Sequence, residues 1–163
     1  MVMDFEQRLQ KAIHRGHRRG ETAAREAEAD ALSEEELKRL HSQYRLELSE
    51  YIENCIRKLP SHFPGFRYET IYGERGWGAA CKRDDVRVVA RGIRDNVYTR
   101  IEMTIRPYSS MHIFELNAKG TIHNKEVFNR QHFERLADAD PATFVELIDT
   151  WVLEFAELYA AKS

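Results

Sequence analysis

The stretch from Asn96 to Arg106 constrains the fold more than any other, because polar and apolar residues alternate along it without interruption. Such a period of two places successive side chains on opposite faces of a β-strand. The apolar face and the polar face have five members each: Val97, Thr99, Ile101, Met103 and Ile105 against Tyr98, Arg100, Glu102, Thr104 and Arg106. The pattern predicts a strand whose apolar face must be covered by helices.

Two segments are predicted to supply those helices. Ser33 and Glu36 match a capping box, and the apolar-periodic run that follows reaches Pro60. The second segment begins with Asp140 and Pro141, residues typical of the N-cap and of the first helical position. Trp151 lies in the middle of its apolar stripe, so we expect this side chain to be buried against the sheet.

The remaining segments predict more strands, at residues 66–72, 77–81, 86–90 and 113–122, with a charged turn at 82–85 and another turn at 94–96. Residues 125–137 are predicted to form a short helix. If the apolar faces of 97–106 and 113–122 coincide, the numbers of directly opposed residues must add up to an odd number. The predicted fold is a two-layer α+β fold, with a four- or five-stranded antiparallel meander covered on one face by long N-terminal and C-terminal helices.

The first 32 residues are predicted to form a charged helical segment, separate from a single α+β domain over residues 33–163. Gly16 and Gly20 each cost about 1 kcal/mol of helix stability relative to alanine, so fraying, a kink or a break is expected near Gly16 to Gly20. The basic residues Arg15, Arg18 and Arg19 are candidate contacts to phosphate or RNA. The alternative is a solvated face that pairs with the acidic residues between Glu21 and Glu36, in the same or a second subunit.

Composition favours a single soluble domain in a reducing compartment. The chain has 163 residues and a net charge of −2, so no overall field favours nucleic acid or an anionic membrane. Cys55 and Cys81 form no paired motif, which is typical of a cytoplasmic protein. No segment has the pattern of a signal peptide or a membrane span. The seven histidines are scattered, and we expect neither a metal nor another cofactor.

Two groups of residues are candidate sites. Glu74, Arg75, Asp84 and Asp85 combine carboxylates and a guanidinium near the glycine-containing turn 73–78, and are candidate catalytic residues. The glycines there are interpreted as turn or close-approach positions rather than as a nucleotide loop. Arg100, Glu102 and Arg106 share the polar sheet face and are candidate binding residues. We expect the Glu74 and Asp84 carboxylates to lie too far apart to act together.

Three functional hypotheses remain open from the sequence. The leading one is a non-enzymatic binding or protein-interaction module that forms a homodimer. It rests on the absence of common catalytic motifs and on the charge-split N-terminal helix, which has little apolar stripe to hold it to its own domain. The alternative is a small enzyme, for example a hydrolase of a phosphorylated substrate, with its site around Glu74 to Asp85. The third is RNA binding through the basic N-terminal run, although nucleic acid is not the favoured partner.

Overall fold

The structure, a computed structural model, describes residues 4–162, apart from the side chains of residues 29–32. The chain is α+β, and its five strands form one antiparallel sheet in the order β1-β2-β3-β4-β5. In chain order the elements are α1 (Phe5–Arg57), α2 (Leu59–His62), β1 (Arg67–Ile71), β2 (Trp77–Ala90), β3 (Ile93–Ile105), β4 (Ile113–Ile122), β5 (Lys125–Arg135), a short 3-10 turn (Leu136–Asp138) and α3 (Pro141–Lys162).

Two compact units make up the chain, Met1–Arg39 and Leu40–Ser163. The boundary lies between Arg39 and Leu40, whereas the sequence predicts one seven residues earlier, between residues 32 and 33. Helix α1 contributes residues to both units. The second unit holds the sheet, α2, α3 and the C-terminal part of α1.

Helix α1 is continuous over Phe5–Arg57, so it does not break at Gly16–Gly20, and the predicted helix start at Ser33 is wrong. A capping box starts a helix only where the preceding residues leave helical geometry. Here the residues before Ser33 are mostly alanine and glutamate, which favour a helix, so it continues through the serine. The same residues offset the helix-weakening effect of the two glycines.

The predicted turns at 82–85 and 94–96 are also wrong, since both segments lie inside the long hairpin of β2 and β3. The chain reverses at Arg91 and Gly92, where Gly92 has a φ of +80°. Near the hairpin tip both strand faces meet water, so charged residues do not interrupt the pairing. One example is the Arg87–Asp95 ion pair at 3.5 Å.

The predicted helix at 125–137 is wrong as well, because Lys125–Arg135 forms strand β5. The prediction of a helix rests on Phe128, Phe133 and Leu136 as apolar anchors. In the strand, Phe128 is buried and Phe133 is 61% exposed, so these residues do not form one buried face. Phe128 lies opposite Gly120 of β4, and its ring occupies the space that a side chain at Gly120 would need. His123 and Asn124 form the preceding turn with φ values of 48° and 68°, as a two-residue hairpin turn requires.

The register between β3 and β4 confirms the expected pairing. Met103 lies opposite Ala118 and Ile105 opposite Leu116, so the apolar residues of both strands share one face. The C-terminal part of α1 and helix α3 cover that face. Phe114 of β4 meets both helices, with ring centroids 5.9 Å from Tyr44 and 5.1 Å from Phe144.

Helix α3 begins where the sequence predicts. The Asp140 Oδ1 atom accepts a hydrogen bond from the Ala142 amide at 3.1 Å, and Pro141 is the first helical residue. Trp151, Phe144, Ile148 and Phe155 are buried on its inner face. Among the described residues, no helix is both long and apolar enough to span a membrane.

Replacing Trp151 by alanine is expected to destabilise the protein by about 3–5 kcal/mol, because it leaves a large cavity in the core. Chemical denaturation measures the change. Leu153→Ala on the exposed face of the same helix is the matched control, and we expect a change within about 0.5 kcal/mol. Equal effects of the two substitutions would contradict the packing of Trp151.

His41 of α1 is a buried polar residue whose ring contacts Tyr108 and Phe114. Its Nε2 atom donates to the Arg106 carbonyl at 3.1 Å, and its ring packs edge-on against Phe114. Burial lowers the pKa of His41 from 6.5 despite the bond to Arg106. The folded state therefore favours the neutral ring.

This depressed pKa gives a signed prediction for stability. The unfolded chain binds a proton at His41 below about pH 6.5, whereas the folded chain binds it only at lower pH. The contribution of the neutral His41 to stability is therefore fully present above about pH 6.5 and is lost as the pH falls below that value. We expect the loss between pH 7 and pH 5 to be smaller in His41→Gln, which keeps a donor for Arg106. Urea denaturation at each pH measures it, and parallel pH profiles would contradict the assignment.

Candidate functional site

The sheet face away from the helices carries a network of four charged side chains. Arg100 of β3 lies between two carboxylates, with Nη1 2.5 Å from Glu69 Oε1 and Nη2 3.3 Å from Glu102 Oε2. Arg75, in the turn before β2, reaches the same Glu102 oxygen at 2.9 Å. Strand pairing places Glu69, Ala80 and Glu102 in one cross-strand row, so the network follows from the register.

The centre of this network is partly buried, and the bonds between its charged groups offset the cost of that burial. The side chains of Arg100 and Glu102 are only 16% and 19% exposed. Burial lowers the pKa of Arg100, but the bond to Glu69 and the neighbouring charges outweigh it, so the net pKa is raised. The bond from Arg100 in turn lowers the pKa of Glu69. Charge-assisted bonds of this kind fix side-chain positions, so the face presents a defined arrangement of donors and acceptors.

Two shallow cavities adjoin the network, with volumes of about 370 and 320 Å³. Arg75, Glu102 and Lys119 line both of them. In the second cavity, the Asn117 Oδ1 atom is buried and has no hydrogen-bond partner among the described residues. Buried acceptors are normally satisfied by protein or water.

Of the predicted binding residues, Arg100 and Glu102 form the centre of this network, and Arg106 lies at its margin. Arg106 lines the second cavity and pairs with Glu115 at 3.4 Å. Its side chain is 59% exposed, so this pair contributes less than the central one.

The candidate catalytic residues fall into two separate places. Glu74 and Arg75 line the second cavity. Asp84 lies in the middle of β2 opposite Tyr98, seven strand positions beyond Trp77. At about 3.3 Å per residue this is about 23 Å, so the structure separates Asp84 from Glu74.

Asp85 has a structural partner. Both of its carboxylate oxygens accept from Arg83 Nε, at 3.0 and 2.9 Å. The Nη1 atom of Arg83 donates to the Pro64 carbonyl at 2.7 Å. Asp85 therefore helps to hold the loop before β1 against β2.

The glycines between Glu74 and Asp85 have backbone roles, as the sequence suggests. Gly76 has a φ of +113°, and a Cβ atom at Gly78 would overlap the Met103 carbonyl oxygen. Only glycine fits such positions without displacement of the neighbouring strand. This segment fixes the turn that carries Arg75.

The N-terminal part of α1 carries the other predicted binding residues, Arg15, Arg18 and Arg19. All described side chains from residue 4 to residue 28 are exposed, including the apolar Phe5, Leu9 and Ile13. Arg18 Nη2 lies 3.3 Å from His14 Nε2, and Lys11 and Arg15 lie beside them on the same helix face.

A groove between the C-terminal part of α1 with α2 and helix α3 is a site that sequence reasoning missed. Its volume is about 610 Å³. The Tyr51 hydroxyl donates to Asp149 Oδ1 at 2.5 Å in its wall, and this bond raises the pKa of Tyr51. The sequence signal that could have indicated this site is Asp149, a carboxylate within an otherwise apolar helix, because such a group needs a hydrogen-bond partner.

Cys55 also lies in this groove, with Sγ 3.9 Å from Asp149 Oδ1. Burial raises the pKa of the Cys55 thiol, so the environment opposes the nucleophilic thiolate. The groove is therefore better suited to binding than to thiol chemistry.

Within the described part of the chain, no three histidine, cysteine, aspartate or glutamate residues are grouped to hold a metal ion. Comparison with protein-family models, curated proteins and solved structures finds no match to this chain.

Arg100→Met is expected to destabilise the protein by about 1.5–3 kcal/mol, because the largely buried Glu102 and the partly exposed Glu69 both lose charge-assisted bonds. Arg106→Met, on the same face, is the matched control, with an expected change of about 0–1 kcal/mol. Urea denaturation compares them. If Arg100→Met changes stability no more than Arg106→Met, the network does not order this face.

Proposed function

We propose that the protein is a non-enzymatic interaction module that forms a homodimer through the N-terminal part of α1. The exposure of every described side chain from residue 4 to residue 28 is the observation that carries the proposal. Helices in proteins gain most of their stability from packing an apolar face. A helix segment with an unpacked stripe of Phe5, Leu9 and Ile13 therefore suits a second polypeptide.

The spacing of small and apolar residues supports another helix as the partner. From Leu9 onward they recur in alternating steps of four and three, the period of a two-helix seam: Leu9, Ile13, Gly16, Gly20, Ala23 and Ala27. The large members come first and the small ones last. In an antiparallel pair, Leu9 meets the partner's Ala27 and Ile13 meets the partner's Ala23, so each large residue faces a small one.

Charge also supports the antiparallel orientation. The run from Arg8 to Arg19 contains five basic residues and no acid, whereas Glu21 to Glu36 contains seven acids and one arginine. Antiparallel copies bring the basic part of each against the acidic part of the other. Parallel copies would align like charges, which is unfavourable.

The dimer should depend on the seam and on ionic strength. Sedimentation velocity of the full chain should show a dimer that weakens as salt rises, because the Debye length falls from about 10 Å at 0.1 M to about 3 Å at 1 M. Ile13→Ser should weaken it strongly, whereas His14→Ser, the adjacent residue on the other face, should not. A monomer at all salt concentrations would refute the proposal.

Disulfide cross-linking tests the orientation in a Cys55→Ala background. A mixture of Leu9→Cys and Ala27→Cys chains should cross-link between variants, whereas Leu9→Cys alone should not. A mixture of Lys11→Cys and Arg25→Cys is the control, because these residues lie at the same level on the outer face. Cross-linking of Leu9→Cys alone would indicate a parallel pair instead.

The polar sheet face is a second candidate, for a small ligand that carries both donors and acceptors. The shared position of Arg75, Glu102 and Lys119 between two cavities favours it. The hydrolase hypothesis gains no such support, because Asp84 lies far along β2 from Glu74.

RNA remains the alternative partner of the N-terminal helix. Lys11, His14 and Arg18 lie opposite the proposed seam and stay accessible in the dimer. A reducing, cytoplasmic location is part of the proposal, and the free Cys55 and Cys81 are compatible with it.

A further inference from the structure

The groove between the C-terminal part of α1, α2 and α3 has the size and lining of a small-molecule site. Its volume of about 610 Å³ falls in the usual range for such sites, about 300–1,000 Å³. Leu59, Val152 and Ala156 supply apolar lining, and Leu153 adds a side chain that is 67% exposed. An exposed leucine beside an open apolar groove is a surface that a bound apolar group would cover.

The two ends of the groove differ in charge. Tyr51 bonds Asp149, and farther along the chain Phe63 contacts Tyr159, so the two walls run in the same direction. The Asp149 carboxylate therefore marks one end. Lys58 and His62 lie towards the other end, and neither forms an ion pair with another described residue.

The different charges at the two ends favour a ligand with an anionic head group and an apolar tail. An anionic head group would be attracted to Lys58 and repelled from Asp149, so an apolar tail would extend towards Asp149. The α3 wall of the groove, from Asp149 to Ala156, spans about 10 Å of helix, comparable to a medium-length acyl tail. Because Tyr51 and Cys55 already donate to Asp149 Oδ1, this end does not require a further donor there.

We propose that the groove binds a free monocarboxylate with an unbranched apolar tail. The head group lies at Lys58 and His62, and the tail lies between the α1 and α3 walls. This inference is independent of the proposed dimer, because every residue that it uses lies within Leu40–Ser163.

Isothermal titration with decanoate, below the concentration at which it forms micelles, tests the proposal on the full chain. Decyltrimethylammonium has the same tail with the opposite charge, and we expect it to bind at least tenfold more weakly. Affinity should rise from hexanoate to octanoate to decanoate, by about fourfold for each methylene that becomes buried. Equal binding of both head groups, or no binding of decanoate, would overturn the proposal.

Variants locate the site. Leu153→Glu and Lys58→Glu should each weaken decanoate binding at least tenfold, the first by placing charge beside the tail and the second by reversing the head-group contact. Leu46→Glu is the matched control, because Leu46 is a 60% exposed leucine of α1 outside the groove. Thermal melting confirms that each variant is folded. Equal loss in Leu46→Glu, or decanoate binding unchanged in Leu153→Glu, would place the ligand elsewhere.

Discussion

The pairing of β3 with both of its neighbours is the constraint on which the second unit depends. Its register places Ile101, Met103 and Ile105 beneath the two helices and leaves Arg100 and Glu102 on the opposite face. A shift by one residue would bury the charged side chains and expose the apolar ones. The same hydrogen-bonded ladder therefore builds the core and arranges the polar face.

The two surfaces of this unit have different physical character. On the sheet, ionised side chains hold one another in place, so any ligand there must compete with existing ion pairs or use the remaining groups such as Lys119. In the helical layer, the groove has few internal polar contacts apart from the Tyr51–Asp149 bond. Binding there would gain chiefly from covering apolar surface.

Sequence periodicity predicted the elements whose pattern reflects burial on one face, including β3, β4 and α3. It failed where burial gave no pattern. The hairpin tip around Arg87 and Asp95 is exposed on both faces, so its charged residues were interpreted as turns. In β5, Phe128 is buried whereas Phe133 is 61% exposed, so the large apolar residues do not mark one face, and the pairing with β4 defines the strand. Arg100 and Glu102 were predicted as neighbours on one face, but Arg75 joins them through a turn whose geometry depends on Gly76. The groove combines residues almost a hundred positions apart, which no local pattern brings together.

The long β2–β3 hairpin extends well past its neighbours, since β1 pairs only as far as Lys82 and β4 only as far as Arg100. On the β3 side the turn residue Asn124 still bonds the backbone of Tyr98 and Asn96. Closer to the tip the hairpin is a two-stranded ribbon, and an isolated ribbon is only marginally stable in water. Its backbone amides have no third strand to shield them, so their exchange with solvent hydrogen is governed by local opening rather than by global unfolding. A two-stranded ribbon could be extended by a further strand at its outer edges, and the charges around Arg87 and Asp95 oppose such an addition near the tip.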